Sequence, residues 1–473
     1  MSTQMRTQTS TDAATADGLI VLDIGKTNAK LALIDAQGRL LAERRRASVV
    51  RRDGAYPHLD IEGIWDWLLE GCRAFAALAP VSAIVPVTHG ATAALVDDTG
   101  LVLPVLDYEA PLDEVDYDSL RPPYAETFSP RLPAGLNLGR QLAWLARRFP
   151  ADFARARHIL TYPQYWAWRL CGEAASEATS LGCHTDLWDP QRQQYSSQVT
   201  NMGWQPLMPP LAPAWTPLGA LRPELAAATG LPAACQVLCG IHDSNASLMR
   251  YLDQDGAAGP RTVLSTGTWM IAAAFGAPLH HLREQADMLA NTNALGLPVA
   301  CMRFMGGREF GELAGGAAQG GPAQGCSFED LERLVAQGTM ALPCFAATGG
   351  PFAGRAGSIE GPAPRDACER YALATLYTVL MTDYCLDALQ AAGPLAVEGS
   401  FTANPWFGPL LAALRPQQAL SYSDDASGTT CGGWMLRYRG KPAPGSSSPQ
   451  AARTLPGLAA YRSRWLAALA PRG

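Results

Sequence analysis

Residues 19–34 read LIVLDIGKTNAKLALI, and residues 262–275 read TVLSTGTWMIAAAF. Each is an apolar run, a short polar turn built around glycine, and a second apolar run, which is the pattern of a strand, a tight turn and a returning strand. In the first copy Leu19–Gly25 is the strand, Gly25-Lys26-Thr27-Asn28 the turn and Ala29–Asp35 the return. Ala36-Gln37-Gly38 then leads into a third strand-like run over Arg39–Val50. Two such openings, more than 200 residues apart, indicate a duplicated α/β unit.

Working outward, residues 60–79 (DIEGIWDWLLEGCRAFAALA) carry Ile61, Ile64, Trp67 and Leu68 at helical spacing and stop before Pro80. Ala83–Val87 is the next strand, ending at Thr88-His89-Gly90. Strands followed by a helix and another strand define a mixed sheet in an α/β layer. Ligands in such sheets collect beyond the strand ends, which places His89 and Gly90 where a ligand can be. Ala134–Gly172 reads as helices rich in Trp and Tyr. The second half offers a strong helix over Asp366–Ala391, a strand Leu395–Ser400, a helix within PWFGPLLAAL and a last helix after Ser423. The expected organisation is a disordered tail over 1–18, an N-terminal domain over 19–250, a C-terminal domain over 251–440, and a tail of loop and short helix over 441–473. The boundary falls in the loop LDQDGAAGPR, residues 252–261.

At ~100–200 residues per domain, 473 residues fit two or three domains. With 48% hydrophobic and 17% charged residues the chain is globular, and 37 Lys+Arg against 43 Asp+Glu leave it at −6. That balance argues against a nucleic-acid binder, which carries a basic stripe. Eleven cysteines, an odd number without a CxxC pair, read as free thiols in a reducing cytoplasm. The Ser/Thr-rich N-terminus lacks the apolar segment of a signal peptide. The longest low-polarity run, Ala74–Val87, contains Pro80 and Pro86 and falls short of the ~20 residues of a membrane span. Small-molecule partners, no membrane and no nucleic acid are therefore expected; a homodimer is compatible.

Gly25-Lys26-Thr27 suggests a P-loop, but that motif requires glycine where Ile20 stands. A tight turn can still hold phosphate, because backbone N–H groups and short hydroxyls converge there. Lys26, Thr27, Asn28 and Lys30 are the candidates, with Asp23 able to hold Mg²⁺ through water. Taken alone, this turn is equally an ordinary hairpin. Thr266, Gly267 and Thr268 form a second set of donors, and Gly399-Ser400 permits a flat ring to approach the backbone. Two phosphate turns and a glycine platform suggest a nucleotide between two lobes.

These residues resemble the FGGY carbohydrate kinases, of the actin-like ATPase (ribonuclease H-like) fold, over about Leu19–Tyr438. The resemblance implies two α/β domains with the active site in the cleft between them. It implies ATP bound by the two turns and Gly399, and a catalytic aspartate at Asp243 in Gly240-Ile241-His242-Asp243. Gly90, His242 and Asp243, with His89 beside them, would contact the sugar. The His-Asp pair and the turn Ser265-Thr266-Gly267-Thr268-Trp269 are most similar to the rhamnulokinase members, and the L-fuculokinase members share the His-Asp pair. The implied activity is ATP- and Mg²⁺-dependent phosphorylation of a ketose, such as the deoxyketoses L-rhamnulose or L-fuculose. The alternatives are a xylulose- or ribulose-type acceptor, or a nucleotide and sugar sensor without turnover. Three departures stand out: Gln141 replaces the family's lysine, Arg303 falls where a neutral amide is usual, and Val397-Glu398-Gly399-Ser400 lacks the common glycine run. Apart from the family, Asp243 before Ser-Asn-Ala also reads as a helix N-cap.

Overall fold

A computed structural model describes residues 5–7, 17–112, 116–252, 259–315, 325–423 and 428–470. It divides into two compact units. The first comprises Met1–Ala257, Ala290–Pro298 and Ser427–Pro444, and the second Ala258–Leu289, Val299–Ala426 and Gly445–Gly473.

In the first unit Gly18–Ile24, Asn28–Ile34 and Leu40–Ala47 form the expected antiparallel meander. Gly18–Ile24 also pairs in parallel with Val81–Thr88, which pairs in parallel with Gln236–Leu238; Pro217–Ala220 closes that edge antiparallel. Both faces are covered, so the central strands are apolar without interruption. Ile20, Leu22 and Ile24 face the helix Ile61–Ala76 through Ile64, Leu68 and Phe75. Leu19 and Val21 face Trp434 and Met435 of the helix Gly428–Arg437. The carboxylate of Asp60 caps the first helix on the N–H of Gly63.

The second unit repeats this plan. Arg261–Thr266, Met270–Phe275 and Pro298–Phe304 are antiparallel, and Arg261–Thr266 pairs in parallel with Leu395–Gly399. Leu420–Ser423 adds in parallel, and Ser447–Pro449 closes antiparallel. In both sheets three antiparallel strands continue, from the first of them in the chain, into two parallel strands and an antiparallel edge strand, and Met288–Thr292 adds beside Pro298–Phe304 at the other edge of the second sheet. The duplication expected from two short stretches therefore extends to the whole sheet, and the actin-like α/β architecture follows from it. The helix Ala367–Ala388, capped by Asp366, is the longest apolar element of this unit. No described helix is long and apolar enough to cross a membrane.

Three boundaries differ from expectation. Residues 427–440 do not join the second unit: the helix Gly428–Arg437 packs in the first, where a Cβ on Gly432 would lie 2.0 Å from the carbonyl oxygen of Ala246 and one on Gly433 2.8 Å from Val21. Residues after 445 are part of the second unit's core. Tyr461 and Trp465 of the helix Leu458–Ala468 are buried and donate to the carbonyls of Thr339 and Ala341. Within the N-terminal tail, Met5–Thr7 pair antiparallel with Leu40–Ala47. The rest of that tail, apart from Asp17 and Gly18, and residues 253–258 of the boundary loop lie outside the described residues.

Candidate functional site

Three parallel strand ends meet in the first unit. Ile24 is in register with Thr88, and Thr88 with His242. Asp23, His89 and Asp243 therefore stand side by side at the carboxyl edge of the sheet, where α/β folds bind ligands.

The route to Asp243 contains a break. Pro86 has no N–H to give to a ladder. Opposite it the pairing of Gln236–Leu238 stops, to resume only at Ile241–His242. The intervening Gly240 has φ +86°, and a Cβ there would sit 2.5 Å from the Pro86 carbonyl oxygen, so glycine is required. The side chain of Gln164, fully buried, donates to the carbonyls of Cys239 and Gly240, both at 3.1 Å. The His242 N–H donates to the Thr179 hydroxyl at 3.2 Å, and that hydroxyl donates to the buried Glu177 carboxylate at 2.5 Å. The break thus re-aims the chain, and buried polar groups fix the new direction.

Asp243 is the first residue of the helix Asp243–Leu248, and His242 occupies the N-cap position without a side-chain capping bond. The N-cap alternative for Asp243 is therefore corrected: the helix begins at Asp243 itself, one residue earlier than a cap there would need, and its carboxylate bonds the adjacent Ser244 N–H at 2.6 Å. Asn245 Nδ2 lies 3.2 Å from His242 Nδ1, and His242 Nε2 lies 3.2 Å from Asp243 Oδ1. An amide donor at Nδ1 leaves the proton on Nε2, directed at the carboxylate. Burial holds His242 down to about 4, so the imidazole is neutral and this contact is a hydrogen bond. Asp243 moves the other way, to about 6. Loss of hydration is the main cause, His89 opposes it and Asp23 adds to it.

His89 is buried, and burial lowers its pKa. Its Nδ1 donates to the Gly90 carbonyl at 2.9 Å, and the ring lies against Tyr108 and Tyr162. Gly90 is tight against the same group, since a Cβ would fall 2.9 Å from His242 Nε2. Gln141, at the family's lysine position, is buried and donates to the carbonyls of Ala91 and Gly135 at 2.5 Å.

In the first turn Thr27 and Asn28 are exposed, with the Asn28 amide donating to the Thr27 hydroxyl at 3.1 Å. Lys30 stands across the hairpin from Asp23 and pairs with it at 3.1 Å; the Thr429 hydroxyl donates to the same carboxylate oxygen at 2.6 Å. Lys26 is committed elsewhere. Its ammonium bonds Asp107, lies 3.2 Å from Glu109 and sits 4.5 Å from the centre of the Tyr108 ring. Asp107, Tyr108 and Thr429 were not identified from sequence, and neither were the supporting Gln164, Glu177 and Asn245.

In the second unit Thr266, Gly267 and Thr268 follow the strand Arg261–Thr266, and Gly399 is in register with Thr266. Thr268, Gly399 and Ser400 are exposed, whereas the Thr266 hydroxyl is used internally, donating to the Glu398 carbonyl at 2.6 Å and accepting from Phe401 N–H at 3.0 Å. Gly399 has φ +91°, and a Cβ would come within 1.9 Å of the Thr266 carbonyl oxygen. Glycine is needed there for the sheet itself, before any ring is considered. Arg303 is held by Asp287 at 3.0 Å and lies over Trp269, so its guanidinium belongs to this unit's own packing.

A repeated sheet of this order, with a carboxylate and two hydroxyl-bearing turns at its strand ends, defines the class of two-domain phosphotransferases built on the actin-like fold. Residues 134–249 match the N-terminal domain of the FGGY family of carbohydrate kinases, and residues 258–446 match a carbohydrate kinase FGGY C-terminal domain. The crystal structure of a carbohydrate kinase from Novosphingobium aromaticivorans is 38% identical, with a TM-score of 0.89, covering 96% of this chain and 98% of that one. The chain belongs to the FGGY carbohydrate kinase family. An L-fuculokinase from Salmonella typhi is 27% identical over 269 residues, 54% of this chain and 56% of the relative, so the chain spans about half the length of the curated relatives it matches. A ligand-bound xylulose kinase from Lactobacillus acidophilus shares the fold at 14% identity, with a TM-score of 0.75 and 96% of both chains covered.

Proposed function

We propose that this protein transfers the γ-phosphoryl group of ATP to a hydroxyl of a ketose, with Asp243 as the general base. The observation that carries the reading is the His242–Asp243 arrangement. A carboxylate raised to about 6 is ionised at neutral pH yet basic enough to take a proton from an attacking hydroxyl. The neutral imidazole beside it orients the carboxylate without neutralising it. As the sugar oxygen bonds to phosphorus, its proton passes to Asp243 and ADP leaves. Phosphoryl transfer requires placement and charge neutralisation more than covalent catalysis.

Asp23 suits a Mg²⁺ that travels with the nucleotide. It is a carboxylate at a strand end with one oxygen engaged by Lys30 and Thr429, and magnesium keeps most of its waters. The ion supplies charge neutralisation at the phosphates. Thr27, Asn28, Thr268 and Ser400 offer exposed donors suited to phosphate and adenosine contacts, with Gly267 and Gly399 beside them. His89, Gly90 and His242 face the acceptor.

Similarity to L-fuculokinases over half the chain supports a deoxyketose of the L-fuculose or L-rhamnulose kind as first choice, with xylulose and ribulose as the alternatives. The reaction fits the cytoplasm, where ATP is plentiful. The test is coupled ADP release over a panel of five ketoses, L-fuculose, L-rhamnulose, L-xylulose, D-xylulose and D-ribulose, ranked by kcat/KM. Sugar-dependent ADP release with at least one ketose is expected; none with any of them sinks the kinase reading.

A further inference from the structure

Lys26 sits in the turn that should face phosphate, yet its ammonium is turned toward Asp107, Tyr108 and Glu109. Asp107 has a side chain only 4% exposed. Its Oδ1 receives both Lys26 and the Glu109 N–H at 3.3 Å, while among the described residues nothing donates to Oδ2. With no such donor, that oxygen is an open acceptor that keeps the side chain's small access to solvent and can take a hydrogen bond from what enters the site. The Tyr108 hydroxyl likewise has no hydrogen-bond partner among the described residues. Tyr108 packs edge-on against His89, with ring centres 5.5 Å apart, and lies near enough to Asp243 to feel its charge. This group therefore stands on the acceptor side of Asp243.

We propose that Asp107 and Tyr108 form a hydroxyl-reading wall of the acceptor site, held in place by Lys26, and that the wall selects an uncharged ketose over a sugar acid. This rests on the kinase reading above. Asp107 Oδ2 accepts a hydrogen bond from one sugar hydroxyl, and Tyr108 offers a donor to a neighbouring oxygen. Lys26 is a positioning residue: its ammonium bonds Asp107 and fixes the rotamer of that carboxylate. Three cations, Lys26, Lys30 and the more exposed Arg45 that also feels Asp23, face four carboxylates, Asp23, Asp107, Glu109 and Asp243. The surplus is negative and repels an acceptor that carries a carboxylate of its own.

The test measures KM for acceptor and for ATP separately in the parent protein and in Lys26→Met, Asp107→Asn and Tyr108→Phe, using the best ketose of the panel and, in parallel, D-gluconate. Interactions equal in ground and transition states appear in KM. Lys26→Met and Asp107→Asn are expected to raise the acceptor KM at least about tenfold, Tyr108→Phe about three- to tenfold, all with ATP KM within about threefold, as befits a lost hydrogen bond of ~1 kcal/mol or more. Lys26→Arg should recover part of the loss, and D-gluconate should give no ADP above background. A rise in ATP KM with acceptor KM unchanged returns Lys26 to the phosphates and overturns the inference. So does an unchanged acceptor KM in Asp107→Asn, or a preference for D-gluconate over every ketose. Should Lys26→Met fail to fold, Asp107→Asn and Tyr108→Phe decide. A parent protein inactive with all acceptors instead removes the kinase reading on which the wall depends.

Discussion

Replacing Asp243 by asparagine separates its chemistry from its place in the fold. Asparagine Oδ1 can keep the three donors that Asp243 Oδ1 now has, the Ser244 N–H at 2.6 Å, the Ser244 hydroxyl at 3.3 Å and the His242 Nε2–H at 3.2 Å. What disappears is the capacity to take a proton. General-base catalysis is worth about 10²–10⁴ in rate, or ~3–5 kcal/mol of barrier, so kcat should fall at least about a hundredfold with KM for ATP little changed. Stability should move the other way. The folded-state pKa of about 6 lies above the ordinary value of 3.8, so the fold prefers the protonated acid. The stabilisation from this group is complete below about pH 4 and is lost as pH rises through 6. Asparagine carries no charge at any pH, and at pH 7.5 the variant should melt at the parent's temperature or above it. Kinetics sharpen the test: parental kcat/KM should drop about tenfold per pH unit below 6, and the variant's residual activity should lack that limb. Coupled ADP release from pH 5 to 8, with calorimetric melting at pH 7.5, reads both quantities. Turnover within a few-fold of the parent protein would falsify the assignment of Asp243 as the base.

Other substitutions probe the supports. Gly90→Ala places a Cβ 2.9 Å from His242 Nε2; the variant should fold, with kcat/KM for the sugar down about tenfold or more, and unchanged kinetics would show that His242 has room to shift. Gly399→Ala meets the Thr266 carbonyl at 1.9 Å in a left-handed backbone conformation, so melting temperature and ATP affinity should fall together, by ~2 kcal/mol or more of stability; weakened ATP binding in a fully stable variant would instead indicate a direct clash with the ring. Gln164→Leu leaves the Cys239 and Gly240 carbonyls without their buried donor, a cost of about 1–3 kcal/mol. Its denaturant midpoint should drop accordingly, and an unaltered midpoint refutes the amide as a fixing group. Thr27→Ala removes an exposed hydroxyl at the turn and should raise KM for ATP while sparing KM for sugar; the reverse pattern takes the turn out of the nucleotide site.

The strands and the long helices were legible because their signals are local. LIVLDIG, TVLST and LAVEGS are buried runs ended by turn residues, and Asp60 and Asp366 announce their helices by capping them. Asp243 and His242 could be singled out because a family resemblance fixed their place in the chain. Asp107 and Tyr108 had no such marker: their significance comes from Lys26, 81 residues away from Asp107, and side-chain direction at a turn does not follow from composition. The allegiance of Gly428–Arg437 was written faintly in Gly432-Gly433, since glycine inside a helix costs ~1 kcal/mol against alanine and is kept where something presses close. The offset of Asp243 from the cap position depended on the helix starting one residue early, a detail below the resolution of any pattern.

The hydrogen bond from Thr429 to Asp23 joins residues 406 apart in the chain, and the helix that carries Thr429 covers Val21 and the rest of one sheet face. During synthesis the first sheet therefore emerges without that helix on its face, and it waits while most of the second unit is being made. The strands of that sheet end by His242 and the covering helix ends at Arg437, so at ~5–20 residues per second the wait lasts roughly 10–40 seconds. A nascent chain in that interval presents an apolar surface of the kind chaperones hold, and a fragment ending near residue 257 would keep it permanently. The first unit is the first to begin folding and among the last to finish.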